Sequence, residues 1–345
     1  MIVQDIGPPD AKILICGEAP GENEARMGKP FVGASGDMLK QMLSHSGIDY
    51  AKCFVTNVID ERPPGNNFQY LYEGRTRKVP TDRLREYWKK LREKVKELKP
   101  NIVIALGGEA LRALTRRTLI TSWRGMVTQV DGIKILPTFH PSYVIRQYQD
   151  HPIVELDFAK ALRESKYSEY HKPHVALVLK PTISQVVGWF NMIENYGANR
   201  VSFDIETIGC HVRCMSLAIC VSVSGTIEAI SIPFIKMPSS SLTEPSDKKT
   251  ITLTTQSTSA SSYWSPEDEI TVLDKIAKLF EDKTIEKVGQ NSVSFDAPLI
   301  ESEFGISIKN HSMDLMHLFH CLYAELPKSL SFMCSILRTI FAATV

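Results

Sequence analysis

The sequence predicts two α/β domains in succession, the first with a central parallel-type sheet between two layers of helices. Four apolar runs recur in the first half, at 12–16, 53–59, 101–107 and 134–139, and helix-like stretches separate them. Strands that alternate with helices are typical of a three-layer α/β/α domain. Length supports a second domain, because 345 residues of which 43% are apolar can form two cores of ordinary size.

Each apolar run of the first half is predicted to be a buried strand. Helices are expected at 35–45, 81–98 and 109–116, and a closing helix at 155–169. In the second half, we expect an opening strand within 171–181, a strand at 201–207 and a hairpin at 217–234. A helix should follow at 265–282, with Ser265 as its cap and Pro266 at its first position.

The two halves differ in charge. Residues 1–172 contain 27 basic and 21 acidic side chains, whereas residues 173–345 contain 13 and 18. A basic domain favours a polyanionic partner, and an acidic one is typical either of plain solubility or of carboxylates that hold metal. We place the domains at 1–168 and 173–345, and we interpret the Ser/Thr-rich stretch at 238–262 as a flexible insertion.

The seven cysteines favour reduced thiols in an intracellular protein, because their number is odd and some lie in apolar runs. Cys210 and Cys214 are close in sequence, but a second pair that would make a recognisable zinc site is missing. The first ten residues lack the pattern of a signal peptide, and no uncharged apolar run reaches about 18 residues. We therefore expect a soluble protein of the cytoplasm of a bacterial or phage-infected cell, without a membrane partner.

Three motifs follow the first, second and fourth predicted strands. They are GEAPGENEARMGKPFVGASG (17–36), TNVIDERPPGNN (56–67) and TFHPSYVIR (138–146). Ligands of parallel sheets bind at the carboxyl ends of the strands, so the motifs should form one shared site. Over residues 12–163 the three-part pattern resembles family 4 uracil-DNA glycosylases and the related domain fused to some phage DNA polymerases.

The resemblance implies a pocket that accepts a uracil flipped out of DNA. Phe31 would stack on the base, and the Asn57 amide would donate to O4 and accept from N3–H. Donors near O2 would stabilise the charge on the departing base, and a carboxylate would steer the attacking water. The catalytic candidates are Glu18, Glu24 and His140, and the base-binding candidates are Ala19, Phe31 and Asn57. His140 and the backbone at Glu18 and Ala19 are the candidates near O2, and Glu24 or Glu18 is the candidate for steering water.

Further residues are predicted to contact DNA. The segment from Arg62 through Pro63 and Pro64 to Gly65 would form a stiff basic loop suited to a phosphate, with a solvated turn as the alternative. Ser142 is the other DNA-binding candidate. The stretch 74–99 holds eleven basic and four acidic residues, which is typical of a solvated helix face and less often of a DNA-facing flank.

The sequence departs from family 4 at the cofactor. Those enzymes hold an iron–sulfur cluster on four cysteines, whereas Glu61 stands here where a cysteine precedes the RPP turn, and residues 54–207 contain no cysteine. We predict no iron–sulfur cluster and no other cofactor for the first domain.

A second site is predicted on VSFDIET (201–207), where Asp204 and Glu206 project from one face of a strand. With NSVSFDAPLI (291–300), which contributes Asp296, it resembles the first two exonuclease motifs of the 3′–5′ proofreading domain of family A DNA polymerases, an RNase H-like fold. The resemblance makes Asp204, Glu206 and Asp296 candidate ligands of Mg²⁺ or Mn²⁺. The third motif of that family, a Tyr with an Asp four residues later, is not found after Asp314. We therefore expect a truncated domain with weak or absent exonuclease activity.

The leading functional hypothesis is removal of uracil from DNA, linked to phage-type replication or repair. DNA is the expected partner, together with a DNA polymerase or another replication protein. Two alternatives stay open: a non-catalytic DNA-binding or template-scanning domain, and a 3′–5′ exonuclease.

Overall fold

A computed structural model describes residues 2–170, 174–221, 225–236 and 261–341, with side chains through 336. Most of the insertion predicted at 238–262, and the last four residues of the chain, lie outside the described residues. The chain divides into two compact units, which consist mainly of Met1–His171 and Lys172–Met333. Among the described helices, none has both the length and the apolar composition that a membrane crossing requires.

The first unit alternates strands with helices along most of its length. Its elements are, in chain order, β1 (Ile13–Gly17), α1 (Glu22–Met27), α2 (Ala34–His45), β2 (Phe54–Asn57), β3 (Tyr72–Glu73), β4 (Val79–Pro80), α3 (Asp82–Leu98), β5 (Ile102–Leu106), α4 (Gly107–Thr115), α5 (Ile120–Trp123), β6 (Thr128–Val130), β7 (Ile133–Thr138), α6 (Pro141–Arg146) and α7 (His151–Glu164). The sheet has the order β2-β1-β5-β7-β6. Its first four strands are parallel, and β6 pairs antiparallel at the edge.

Two apolar clusters cover the two faces of this sheet. Because successive side chains of a strand point to opposite faces, Ile13 and Ile15 of β1 pack with α2, α6 and α7. Leu14 and Cys16 pack on the other side with α3 and α4. The predicted three-layer α/β/α arrangement is confirmed. The closing helix α7 begins four residues earlier than expected, because Pro152 is accommodated in its first turn.

The second unit contains a six-stranded mixed sheet. The elements that follow α7 are β8 (Val175–Leu179), α8 (Ile183–Asn195), β9 (Arg200–Ile208), β10 (His211–Val221), β11 (Thr226–Pro233), α9 (Pro266–Glu281), β12 (Glu286–Gly289), α10 (Asp296–Phe304), β13 (His311–Asp314), α11 (Leu315–Leu322) and α12 (Leu330–Phe341). The order is β13-β12-β9-β10-β11-β8. Strands β9 to β11 form an antiparallel meander, and β12 and β13 run parallel to β9. The mixed α/β character predicted for this domain is confirmed, and its assignment as RNase H-like stays a prediction.

Strand β9 separates the core of the second unit from a polar face. Val201, Phe203 and Ile205 are buried against α8 and α9. Asp204 and Glu206 alternate with them and are exposed on the opposite face. The predicted start of α9 is confirmed, since the Ser265 hydroxyl accepts the Asp268 backbone N–H at 3.1 Å and Pro266 is the first helical residue.

Candidate active site

A cavity of about 410 Å³ opens at the carboxyl ends of β1, β2, β5 and β7, where the three sequence motifs meet. Of the residues predicted for the first site, eight line this cavity: Glu18, Ala19, Glu24, Phe31, Asn57, Pro63, His140 and Ser142. A volume of this size is within the usual range for small-molecule pockets. The sheet therefore gathers groups that are more than 120 residues apart in sequence.

One wall of the cavity depends on the absence of a side chain at Gly17. Gly17 ends β1 directly beside Asn57, the last residue of β2. A Cβ atom at Gly17 would clash with the Asn57 Oδ1 and would lie 2.6 Å from the Phe31 Cζ. The missing side chain therefore lets the amide of Asn57 and the ring of Phe31 approach the end of the strand.

Phe31 has an unusual backbone. Its φ is +51°, a conformation that is rare for a bulky residue, and its side chain is only 5% exposed. Gly36, in the first turn of α2, leaves room for the Phe31 carbonyl group. The ring lies 6.2 Å from the His140 ring, with 30° between their planes. Strain of this kind concentrates at functional sites, and here it holds an aromatic ring at the cavity wall.

His140 caps the N-terminus of α6 with its own ring. The Ser142 backbone N–H donates to the His140 Nδ1 at 3.1 Å, and the Ser142 hydroxyl lies 2.7 Å from the same atom. Because an amide N–H can only donate, Nδ1 must accept, and the neutral ring carries its proton on Nε2. Burial, aided by the charge of Arg146, lowers the pKa of His140 to about 4. The imidazole is thus a neutral donor near pH 7.

Two carboxyl groups line the cavity from the first motif. Burial raises the pKa of Glu18 to about 7, with a smaller increase from Glu109 and an opposing effect of Arg77. Glu24 lies on α1, and its carboxylate covers Gly21, where a Cβ atom would be 2.6 Å from Oε2. The site therefore combines an aromatic face, an amide, a neutral imidazole and two acids.

The first unit is similar in sequence to known proteins. A sequence model described as the uracil DNA glycosylase superfamily matches residues 4–165. A type-4 uracil-DNA glycosylase of Thermotoga maritima is 34% identical over 149 residues, which cover 42% of this chain and 72% of the relative. One of Archaeoglobus fulgidus is 30% identical over 167 residues, or 46% of this chain and 79% of the relative.

The chain belongs to the uracil-DNA glycosylase superfamily.

Other similarities cover a smaller share of the relative. The DNA polymerase of Bacillus phage SP01 is 31% identical to this superfamily member over 164 residues, which are 46% of this chain but 17% of the polymerase. Among solved structures, Trypanosoma brucei RNase D in complex with RNA has a TM-score of 0.27 at 14% identity, over 44% of this chain and 40% of that one. That TM-score is too low to support a conclusion about fold or function.

Three residues predicted to contact DNA lie outside the cavity lining of the glycosylase-type unit. Arg62 pairs with Glu22, with 3.3 Å between Nη2 and Oε2. Pro64 and Gly65 lie in a short 3₁₀ turn, and Gly65 has a φ of +59°. Pro63, by contrast, lines the cavity. The predicted phosphate loop is therefore at the rim of the cavity, and its contact with DNA stays a prediction.

Several residues that line the cavity of this superfamily member were not among the site residues predicted from the sequence. They are Gly21, Ser35, Asn66, Gly107, Gly108, Ile120, Thr121, Phe139, Tyr143 and Arg146. The two glycines at 107 and 108 follow β5, and a glycine pair after a strand is a recognisable signal in the sequence. Phe139, Tyr143 and Arg146 lie inside the third motif. Ile120 and Thr121 have no signal in the sequence, because the tertiary fold alone brings α5 to the cavity.

The first unit does not offer the ligands of an iron–sulfur cluster. Cys16 and Cys53 are buried in clusters on opposite faces of the sheet, and burial raises the pKa of each thiol to about 12. The Glu61 carboxylate is paired with Arg83 and accepts the Tyr70 hydroxyl at 3.1 Å. These residues do not fit a four-cysteine cluster.

The basic helix α3 is largely neutralised by acids. Four pairs illustrate this: Lys89 with Glu93, Lys90 with Glu86, Lys94 with Asp5, and Lys96 with Asp131. Its apolar face packs into the core through residues such as Leu84 and Trp88. The pairing supports the solvated-face interpretation of this helix.

The acids predicted for the second site only partly converge. Asp204 and Glu206 share the exposed face of β9. Asp296 begins α10, is 3% exposed, and accepts the Ile205 backbone N–H at 2.9 Å on Oδ1. Within the described part of the chain, no group of three or more His, Cys, Asp or Glu side chains is placed to hold a metal ion. The arrangement does not fit a two-metal site.

Proposed function

We propose that the first unit hydrolyses the N-glycosidic bond of deoxyuridine in DNA and releases uracil. The observation that carries this proposal is the convergence of Phe31, Asn57 and His140 on one cavity at the carboxyl ends of the sheet. The type-4 uracil-DNA glycosylases to which the chain is similar support the same reaction. The phage polymerase relative supports a link to DNA replication.

Recognition of the base follows from two side chains. The Phe31 ring offers a face on which a flipped base can stack, and its buried, constrained backbone keeps that face in place. The Asn57 amide, held against Gly17, can donate to uracil O4 and accept from N3–H. Cytosine presents the opposite donor and acceptor pattern at these two positions, so the same amide would discriminate against it.

Bond cleavage leaves negative charge on the departing uracil, which a donor at O2 stabilises. The hydrogen bonds of Ser142 to Nδ1 leave the Nε2–H of His140 for this role. A neutral imidazole avoids a competing positive charge in the ground state and donates without changing its protonation. Backbone groups at Glu18 and Ala19 are the further candidates for contact with O2.

A water must then reach the anomeric carbon. Glu18 and Glu24 both line the cavity and both can accept a proton from water or orient it. The two acids differ in position, since Glu18 directly follows β1 and Glu24 lies on α1. Separate Glu18→Gln and Glu24→Gln variants assign the role to the one whose loss slows cleavage more.

The test is incubation of the whole chain with uracil-containing single- and double-stranded oligonucleotides, scored for abasic sites. His140→Ala and Asn57→Ala should each slow uracil release by about 10² to 10³. The matched control is His45→Ala, because His45 is an exposed histidine of the same unit that pairs with Glu155 away from the cavity. That variant should remain within about twofold of the wild type, since exposed pairs contribute little to stability.

The outcome also separates catalysis from binding. Uracil release by the wild type that both cavity variants lose would support the proposed reaction. If the wild type binds DNA but releases no uracil, the non-catalytic DNA-binding hypothesis replaces it.

For the second unit we propose an exonuclease-type domain with weak or absent turnover. Asp204 and Glu206 project side by side and can hold one Mg²⁺ or Mn²⁺ with waters completing its shell. Partners are DNA and a DNA polymerase or other replication protein. The unpaired thiols of Cys16 and Cys53 fit a reducing compartment such as the cytoplasm.

A further inference from the structure

The β3–β4 hairpin carries an exposed group of basic side chains. Its turn, at 74–78, contains Arg75, Arg77 and Lys78, and every residue from 73 to 79 is exposed. Glu73 is the one acid within that stretch of the sequence. A short, strongly basic projection of this kind is the electrostatic feature by which proteins attract a polyanion.

The three basic side chains of the turn differ in their partners. The Arg77 guanidinium pairs with the Glu109 carboxylate, with 2.9 Å between Nη1 and Oε1. Within the part of the chain that the structure describes, the side chains of Arg75 and Lys78 have neither an ion pair nor a hydrogen bond. The lysines of helix α3, by contrast, lie beside acids of the same unit. The hairpin therefore presents two cations that are available to an external anion.

Contacts with helix α4 hold the hairpin in place. Glu109, in the first turn of α4, is 7% exposed and also accepts the Tyr72 hydroxyl at 2.5 Å. Three residues further along, the Arg112 guanidinium donates to the carbonyl groups of Arg77 and Lys78. These two carbonyl oxygens therefore point toward the helix, where they do not repel an anion. Because the turn is already fixed, binding a ligand orders only the long basic side chains and costs less entropy than ordering a free loop.

The hairpin is joined on two sides to residues that line the cavity. On one side, α4 begins with two glycines of the cavity lining, and Glu109 directly follows them. On the other side, the chain runs from Asn66, at the cavity, through a 3₁₀ turn into β3. The Gln69 side chain of that turn donates to the Gly74 carbonyl at 3.0 Å. The hairpin is thus close to the cavity, on the course of a strand that flanks a nucleotide bound there.

We propose that the β3–β4 hairpin is a phosphate-binding arm, in which Arg75 and Lys78 contact the DNA backbone beside the nucleotide held in the cavity. The arm binds strands of any base sequence, because phosphates carry no sequence information. Of the basic stretch at 74–99, the hairpin part contacts DNA and the helical part stays solvated. This role deepens the glycosylase function proposed above and rests on it only in that DNA is the ligand.

The test is the salt dependence of DNA binding by the whole chain. The probe is a duplex with one 2′-fluorodeoxyuridine, whose fluorine disfavours positive charge on the sugar and so prevents cleavage. Each lost phosphate contact reduces the slope of log Kd against log salt by about 0.9. The double variant Arg75→Gln/Lys78→Gln should therefore lose about 1.8 of this slope and bind about 60-fold more weakly at about 0.1 M salt. The loss should be the same for a second duplex of unrelated sequence.

The matched control is Lys89→Gln/Lys90→Gln, which removes the same charge from two exposed lysines of α3 that pair with Glu93 and Glu86. Its slope should equal that of the wild type. Equal loss of slope in both double variants would trace the effect to net charge and overturn the proposed arm. An unchanged slope in the hairpin variant would overturn it as well. Thermal unfolding should be unchanged in both, because all four substituted side chains are exposed.

Kinetics separate the arm from the catalytic groups. With a cleavable uracil duplex, the hairpin variant should lose kcat/KM in proportion to its weaker binding, whereas single-turnover release at saturating enzyme should stay within about twofold of the wild type. Loss of slope in the hairpin variant of a protein that releases no uracil supports the arm, and the glycosylase function alone then fails. Uracil release together with a wild-type slope in the hairpin variant refutes the arm alone.

Discussion

Replacement of Gly17 by alanine tests whether the end of β1 holds the base-reading amide in place. The added Cβ atom would lie 2.6 Å from the Phe31 Cζ and closer still to the Asn57 Oδ1. Carbon atoms pack at about 3.5 to 4.0 Å, so the phenyl ring must retreat by about 1 Å. The amide must move as well, because Asn57 is the direct neighbour of Gly17 in the parallel pair.

A displacement of about 1 Å at a catalytic site can slow a reaction by about 10²-fold. Overpacking a core costs about 1 to 3 kcal/mol, which a folded domain generally survives. We therefore expect Gly17→Ala to fold and to release uracil about 10² times more slowly. Single-turnover release from a uracil-containing oligonucleotide measures the chemical step, and thermal unfolding measures the stability of the same sample.

Gly108→Ala provides the matched control. Gly108 lines the same cavity, but an added Cβ atom there has no heavy atom within 4 Å. Its activity should stay within a few fold of the wild type, because the new methyl group displaces neither Asn57 nor Phe31. Equal loss in both variants would show that any methyl group at the cavity is harmful. Full activity of Gly17→Ala would refute the steric argument.

Three further predictions concern pH, iron and the second unit. The pKa of His140 is lowered from 6.5 to about 4 in the folded protein. Between pH 6.5 and about pH 4, this imidazole is therefore protonated in the unfolded chain but neutral in the folded one. The free energy of unfolding should thus fall by up to about 3 kcal/mol as pH drops from about 6.5 to about 4, and His140→Asn should flatten that part of a denaturation profile. Purified protein should be colourless and iron-free, and a broad iron–sulfur absorbance with stoichiometric iron would contradict this. With Mn²⁺, degradation of a 3′-labelled single strand should be weak or absent, whereas robust degradation that Asp204→Ala abolishes would show that a further ligand completes the site.

Strands β1, β2, β5 and β7 were predictable because each lies in a mainly apolar run that is largely buried. A short, continuous apolar run is typical of a buried strand in a parallel sheet. In such a sheet the carboxyl ends of the strands lie at one edge. The motifs at 17–36, 56–67 and 138–146 consequently converge as expected. The assignment of individual roles to Glu18, Asn57 and His140 rests on the resemblance and awaits the variants described above.

Other features could not be read from the sequence. Glu109 lies in an ordinary helical stretch, and only the fold shows that Tyr72 and Arg77 bond to it across more than 30 residues. The short strands β3 and β4 have two residues each and therefore leave no periodic pattern. The positive φ of Phe31 is likewise a product of the tertiary packing on α2, because a phenylalanine gives no local signal for that conformation.

The side chains of the cavity do not depend on cluster cysteines for their positions. The cavity groups are held by the register of β1 with β2 and by the turn into α6, which depend on backbone hydrogen bonds and apolar packing. Where a cysteine would precede the RPP turn, Glu61 is joined to Arg83 at the start of α3 and to Tyr70. This polar contact ties the turn to the helix with ordinary side chains. Without cysteine thiolates, the turn is attached to the helix by the Glu61 contacts instead. The positions of Asn57 and His140 depend on other parts of the fold.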